Sequence, residues 1–177
     1  MVSVMDMQSD KCNNTEKHML SDTWVLWAHL PHNIDWSPNS YINIAEFDTL
    51  EYTIAIVEYL PDSLIDNCML FMMRKGIKPS WEDPRNRNGG CFSYKVSNRN
   101  VNQSWKELTY SVVGDMISSK EEFVNCVTGI TISPKKNFCV VKIWMTDCSN
   151  QDSSEVVKTI KDITSTGCIF KKHVPEY

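Results

Sequence analysis

Two neighbouring side chains, Trp81 and Glu82, are the ones in this sequence most able to do recognisable chemistry. They sit in Gly76-Ile77-Lys78-Pro79-Ser80-Trp81-Glu82-Asp83-Pro84, where prolines and a glycine oppose regular structure, so the indole is expected to be exposed. An indole face followed at once by a carboxylate offers a purine a stacking surface and a pair of acceptors. Guanine fits best, because its N1–H and N2–H2 donors point the same way and one ionised carboxylate can take both. Trp36 lies in a second loop, 31–39, again flanked by proline and polar residues. Two loop tryptophans can pinch one base. The sandwich gains most when the base is a cation such as N7-methylguanine, since each indole face then adds cation–π attraction to dispersion. Stacking contributes about 1–3 kcal/mol per base, a desolvated cation–π contact about 2 and hydrogen bonds to a charged group about 1.5–3. After ordering costs this supports roughly micromolar affinity. The plainer alternative is that each tryptophan packs over the edge of the core and Glu82 is only solvated.

A base carrying phosphates also needs cations. In Val140-Val141-Lys142-Ile143-Trp144 the period of two places Lys142 and Trp144 on one strand face and Val141 and Ile143 on the other. A lysine beside a tryptophan on an otherwise apolar strand suits an anion site, although a solvated sheet face accounts for the same pattern. The overall charge does not favour a coat for long nucleic acid: 18 Lys plus Arg stand against 22 Asp plus Glu, net −4. Any anion must be gripped locally.

The elements that must position these groups read as one α+β domain. With 177 residues and 42% hydrophobic content the chain can bury one sizeable core and is short for two domains. Residues 1–17 are polar and aperiodic and read as a flexible tail, with a single domain over 18–177. Strands are predicted over 23–30, 41–47, 68–74, 91–96, 124–133 and 138–145, with 168–174 closing the sheet. The Trp81–Glu82 loop is expected to join two neighbouring strands. Asp48 with Glu51 resembles a capping box ahead of Leu50, Ile54 and Val57, a helix stopped by Pro61. Trp105, Leu108 and Val112 give a second helix over 103–113 ending on Gly114. Asp152 with Glu155 starts a third, with Val156, Ile160 and Ile163 on one face. This describes a mainly antiparallel sheet with helices on one face and the other free.

Seven cysteines without a C-x-x-C spacing, and no apolar run after a basic N-terminal segment, suggest reduced thiols in a cytosolic or nuclear protein. In that setting Asn13-Asn14-Thr15 and Asn102-Gln103-Ser104 match the glycosylation pattern by chance. No stretch approaches the roughly 18 apolar residues of a membrane span. No Walker loop, H-E-x-x-H, zinc spacing or nucleophile elbow is present, so neither catalysis nor a metal or cofactor is expected.

Taken together the residues resemble the eukaryotic translation initiation factor 4E family, which binds the mRNA 5′ cap. Trp24-Val-Leu-Trp27, Trp36, Glu46-Phe47-Asp48-Thr49, the Gly76 to Asp83 segment, Gly89-Gly90, Trp105, Gly114, Gly129 and Ile143-Trp144 occur in the family's order and approximate spacing. The resemblance covers about 18–150, and all six tryptophans fall on family tryptophan positions. It implies a strongly curved antiparallel sheet with three helices on the convex back and the cap in the concave face. It further implies that Trp36 and Trp81 sandwich 7-methylguanine, Glu82 reads its N1–H and N2–H2, and Trp144 touches the N7 methyl. Lys135 stands where the family has an arginine on the cap phosphates; it keeps the charge and loses the planar fork. The family's next phosphate lysine aligns with Val140, for which Lys142 is the nearest substitute on the same face. A further family arginine, after Gly89-Gly90, is Cys91 here. The segment after Trp144 is short, so the family's loop over the phosphates is expected to be reduced or absent.

On the back, the family docks the Tyr-x-x-x-x-Leu-hydrophobic helix of a 4G scaffold or of repressor proteins against a helix-one tryptophan. Ile54 stands in its place, packing inward or forming a retuned groove. The other positions implied for a partner are His18 and Leu20, in the segment matching the family's His-Pro-Leu entry strand, Leu50, and Lys106, Glu107 and Tyr110 on helix two. This altered back and short end suit a divergent member or a virus-encoded copy. The reading is therefore a non-catalytic, cytoplasmic or nuclear module that binds 5′-capped mRNA and recruits it to a partner for translation initiation. A cap-binding competitor or specialised isoform that avoids the ordinary scaffold is the alternative, and a cap- or nucleotide-processing enzyme a remote one.

Overall fold

In the computed structural model of the chain, residues 17–156 and 159–173 are described. Most of the predicted tail, residues 1–16, and residues 174–177 lie outside them. Seven strands form a single curved sheet in which every pairing is antiparallel. They are β1 (Met19–His29), β2 (Tyr41–Thr49), β3 (Met69–Arg74), β4 (Gly90–Val96), β5 (Val127–Pro134), β6 (Cys139–Met145) and β7 (Ile169–Lys172). Spatial order is β2-β1-β3-β5-β6-β4-β7. The expected adjacency across the Trp81 loop is therefore wrong: β3 and β4 are separated by the β5–β6 hairpin, and segment 75–89 must cross above it. Local residue types show where a strand ends but not which strand lies beside it.

The helices are α1 (Leu50–Tyr59), α2 (Asp62–Asn67), α3 (Val101–Val113) and α4 (Glu121–Cys126). Thr49, not Asp48, caps α1: its hydroxyl accepts from the Tyr52 N–H at 3.3 Å, while Glu51 accepts instead from His18. Residues 124–126, predicted as strand, close α4, whose first turn holds Glu121 and Glu122 and whose Phe123 and Val124 are buried. Among the described residues the third predicted helix does not form. Val156, Ile160 and Ile163 are buried as expected, but they belong to an irregular wrap that begins with one short turn at Ser153–Glu155. Asp162 interrupts it with φ +63, its carboxylate accepting from the Ser97 N–H at 3.1 Å and the Asn100 amide at 2.9 Å.

The alternation of the strands separates two faces. Leu26, Met72, Ile130, Ile143 and Phe92 point to the helices, where they pack with Ile65 of α2, Trp105 and Leu108 of α3 and Phe123 of α4 in the main core. Burying side chains of this size is worth about 1.5–3 kcal/mol each. Among the described residues no helix lies on the opposite face. There Phe71, Met73, Ile77 and Trp144 form a smaller cluster with Trp27, Tyr41 and Trp81 against it. Across this open face the register gives one row of Val25, Met73, Gly129, Trp144, Cys91 and Lys171. Gly129 keeps that row tight, since a Cβ there would lie 2.4 Å from the Met73 sulfur.

Candidate functional site

The Trp81 loop is pinned from below by two buried polar side chains. Two residues after β3, Gly76 with φ of +82 turns the chain back over the sheet. The Asp83 carboxylate then accepts from the Lys78 N–H at 3.0 Å and the Arg85 N–H at 2.9 Å. Asn86, fully buried, donates to the Ser80 carbonyl at 2.8 Å and the Lys78 carbonyl at 3.3 Å, and accepts from the Thr128 hydroxyl of β5 at 2.8 Å. This ties both ends of Lys78-Pro79-Ser80 to the sheet and lifts Trp81 and Glu82 above it. Glu82 is exposed and hydrogen-bonded to the Ser80 hydroxyl.

Trp36 is held differently. The Asp35 carboxylate accepts from the Ser37 N–H at 2.8 Å and the Ser37 hydroxyl at 2.9 Å, contacts that hold its own pKa down. The Asp35 carbonyl accepts from His29 Nε2 at 2.8 Å, which places the imidazole proton on that nitrogen. The His29 ring then lies flat on Trp36, centroids 4.0 Å apart and planes 3° from parallel. Trp36 is still 56% exposed.

Three cavities surround these groups. One, of about 430 Å³, is bounded by Trp36, Trp27, Tyr41, the 78–80 segment and Glu82. The phenol of Tyr41 is raised in pKa by burial and further by the Glu82 carboxylate. A second, of about 350 Å³, is lined by Trp81, Cys91, Lys142, Trp144, Lys171, Lys172 and His173. A third, of about 490 Å³, lies on the far side of Trp36 and includes Lys135 and Lys136.

The expected residues are thus brought to one open face, but not all to one cavity. Trp36 and Glu82 share the first cavity; Trp81, Lys142 and Trp144 share the second. The Trp36–Trp81 pinch is not preformed, because Trp81 packs on the Phe71–Met73–Ile77–Trp144 cluster and His29 covers one face of Trp36. Lys142 and Trp144 do share a face, opposite the buried Val141 and Ile143. Trp144 is 6% exposed and its indole N–H donates to Thr131 at 2.8 Å, fixing the ring edge. Lys135, in the β5–β6 turn, lines the third cavity and not the second.

Several participants had only weak signals in the sequence. Asp83 and Asn86 are ordinary loop residues until their buried partners are seen. Trp27 and His29 could have been paired by strand alternation, whereas Lys171 and His173 depend on the β4–β7 register.

A family model described as eukaryotic initiation factor 4E matches residues 19–174. The chain belongs to this initiation factor 4E family. Among relatives, "Eukaryotic translation initiation factor 4E-2" of Schizosaccharomyces pombe is 28% identical over 151 residues, 79% of this chain and 58% of that protein. The Homo sapiens factor 4E is 24% identical over 165 residues, 89% of this chain and 70% of its own. Solved structures of the family share the fold. That of C. elegans eIF4E-3 with the 4E-binding protein Mextli has a TM-score of 0.75 at 20% identity, over 89% of this chain and 94% of its own. A schistosome eIF4E complexed with m7GpppG and 4E-BP has a TM-score of 0.68 at 24% identity, over 76% and 75%.

The helix-covered side holds the partner positions the 4E resemblance implies. Ile54 is 43% exposed, which rules out the inward-packing alternative, and Leu50 is exposed with it. Leu20 packs on the core. His18 pairs with Glu51 at 2.6 Å. Lys106 and the Tyr110 hydroxyl both reach Glu58 of α1, at 2.7 and 3.0 Å, and Glu107 accepts from Gln103 at 2.7 Å. Burial and the Glu58 carboxylate push the Tyr110 phenol up to about 12. The six cysteines among the described residues are free thiols. No helix among the described residues is long and apolar enough to cross a membrane, and among them no three His, Cys, Asp or Glu side chains could together hold a metal ion.

Proposed function

We propose that this protein binds the 7-methylguanosine 5′ cap of mRNA without catalysis and presents capped mRNA to translation initiation through a partner on the helix-covered face. The observation that carries the reading is the match to the 4E family over 19–174, in a chain whose Trp36, Trp81, Glu82 and Trp144 lie on a single open sheet face. The schistosome relative is complexed with both a cap analogue and a 4E-binding protein. Glu82 and Trp36, which line one cavity, suit the edge and the face of one guanine. Closing the sandwich requires Trp81 to turn from its cluster toward the face of Trp36 that His29 leaves uncovered, a side-chain change on a pinned loop; its cost lowers affinity without changing specificity. The cytoplasm is the compartment this role calls for.

Tryptophan fluorescence tests the reading. Quenching by 7-methyl-GTP is expected at concentrations at least tenfold below those needed with GTP, and equal quenching by both would remove the charged-base argument. Glu82→Ala should abolish binding while leaving thermal stability unchanged, because the carboxylate is exposed and holds only Ser80. The competitor reading is favoured by one observation: Glu58 already engages Lys106 and Tyr110, so those two helix positions are not free to meet a scaffold helix without breaking these contacts.

A further inference from the structure

Resting on the cap-binding reading, we infer that the phosphate grip in this chain has moved to the sheet edge, where Lys171 of β7 acts with Lys142 of β6 across the space above Cys91. Two of the three positions that the family resemblance assigns to phosphate cations carry Cys91 and Val140. Cys91 is 3% exposed and small, and it leaves the cavity of about 350 Å³ open beside Trp81 and Trp144.

The register places the cations. Cys91 pairs with Trp144 on one side and with Lys171 on the other, so all three side chains share the open face. Lys142 lies two residues before Trp144, on the same face and opposite Ser93. With strands about 4.8 Å apart and about 3.4 Å per residue, the Cα atoms of Lys142 and Lys171 are on the order of 12 Å apart, with Cys91 between them. Two lysine stems can span that gap from either end and meet an anion above the thiol. Phe170, by contrast, turns to the helix side and packs on Phe92 at 4.9 Å, which anchors β7 and sets the orientation of its neighbours. Lys172 falls on the same strand face as Phe170 in the alternation, yet it too lines the cavity and adds to its positive charge.

The electrostatics point the same way. Among the described residues no carboxylate lines this cavity, although the chain as a whole is net −4. Lys75, Lys106 and Lys120 are each paired with a glutamate, whereas among the described residues Lys142 and Lys171 form no ion pair. His173 leans on Trp144 at 4.9 Å and donates from Nδ1 to the Asn86 carbonyl at 2.8 Å, closing the end of the cavity nearest the pinned loop. Unpaired lysines gathered at a tryptophan-walled cavity in an acidic protein are what an oligophosphate attached to a stacked base requires. Lys135, to which the family resemblance assigns this role, lines the cavity on the other side of Trp36.

The test compares the triphosphate with the nucleoside. Affinities of 7-methyl-GTP, 7-methylguanosine, GTP and guanosine are measured for the wild type and for Lys171→Gln, Lys142→Gln and Lys135→Gln. Lys171→Gln is expected to weaken 7-methyl-GTP binding roughly fivefold to tenfold, to leave 7-methylguanosine within about twofold, and to flatten the salt dependence. Lys142→Gln should behave likewise and Lys135→Gln should change little. The inference is overturned if Lys171→Gln leaves 7-methyl-GTP affinity unaltered, if it weakens nucleoside and triphosphate equally, or if Lys135→Gln carries the loss. Failure of the cap reading looks different: methylated and unmethylated ligands would then bind alike, while a triphosphate advantage sensitive to Lys171 would still mark the phosphate subsite.

Discussion

Asn86 touches none of the three cavities, yet replacing it with alanine should damage both stability and binding. Its side chain makes three hydrogen bonds, to the Ser80 and Lys78 carbonyls and from the Thr128 hydroxyl, in a site with no solvent exposure. At about 1 kcal/mol net for each bond, Asn86→Ala should cost about 3 kcal/mol. For a chain of this size that lowers Tm by roughly 6–12 °C, at about 2–4 °C per kcal/mol. If half of the loss falls on loop 78–82 alone, the binding-competent loop is depopulated by about 1.5 kcal/mol, and cap-analogue affinity drops roughly tenfold. Circular dichroism melts and fluorescence titration read the two effects. Thr128→Val should reproduce the part owed to one bond, and the pair of substitutions should be non-additive. A melt within about 1 °C of wild type together with unchanged affinity would refute the claim that buried polar groups hold the loop.

Two further predictions concern pH and the opposite face. Burial lowers the pKa of His173 from its usual 6.5 and the Lys142 charge lowers it further, while the Asn86 carbonyl works against both. The unfolded chain therefore takes up a proton near pH 6.5 that the folded protein resists: stability is complete above that pH and falls as pH drops toward the folded value. Melts from pH 7.5 to 5 should show this loss, and His173→Phe, which keeps a ring against Trp144, should flatten it; an unchanged slope would be inconsistent with the assignment. Ile54→Asp should leave Tm nearly unchanged, since the side chain is 43% exposed, while abolishing capture by a Tyr-x-x-x-x-Leu peptide in a pull-down. Equal capture by both proteins would place the partner surface elsewhere.

Periodicity made much of this fold readable from its residues. β6 is apolar on one side and carries Lys142 and Trp144 on the other, and its two faces follow from alternation alone. The α3 stripe of Trp105, Leu108 and Val112 is likewise local information, and all three are buried. Val156, Ile160 and Ile163 show where such reasoning breaks down: burial at helical spacing also arises when an irregular segment crosses a core, and the left-handed Asp162 with its two tertiary partners decides the matter. Trp36, Trp81 and Glu82 were legible because loop aromatics next to a carboxylate are unusual. Their division between two cavities was not, because it depends on His29 stacking on Trp36 and on the β3 cluster beneath Trp81. The place of Lys171 beside the second cavity was hidden for the same reason, since it depends on the pairing of β7 with Cys91 of β4.

The crossing of segment 75–89 above the β5–β6 hairpin also fixes an order of events during synthesis. β1, β2 and β3 can pair among themselves as soon as they emerge, but β4 pairs only with β6 and β7, both later in the chain. Until residue 145 has left the ribosome, β4 is a strand without neighbours, and Asn86 has no Thr128 to hold. The loop bearing Trp81 and Glu82 is thus among the last parts to take shape. A nascent or truncated chain ending before β6 would carry both residues without the paired strand that holds their loop in place.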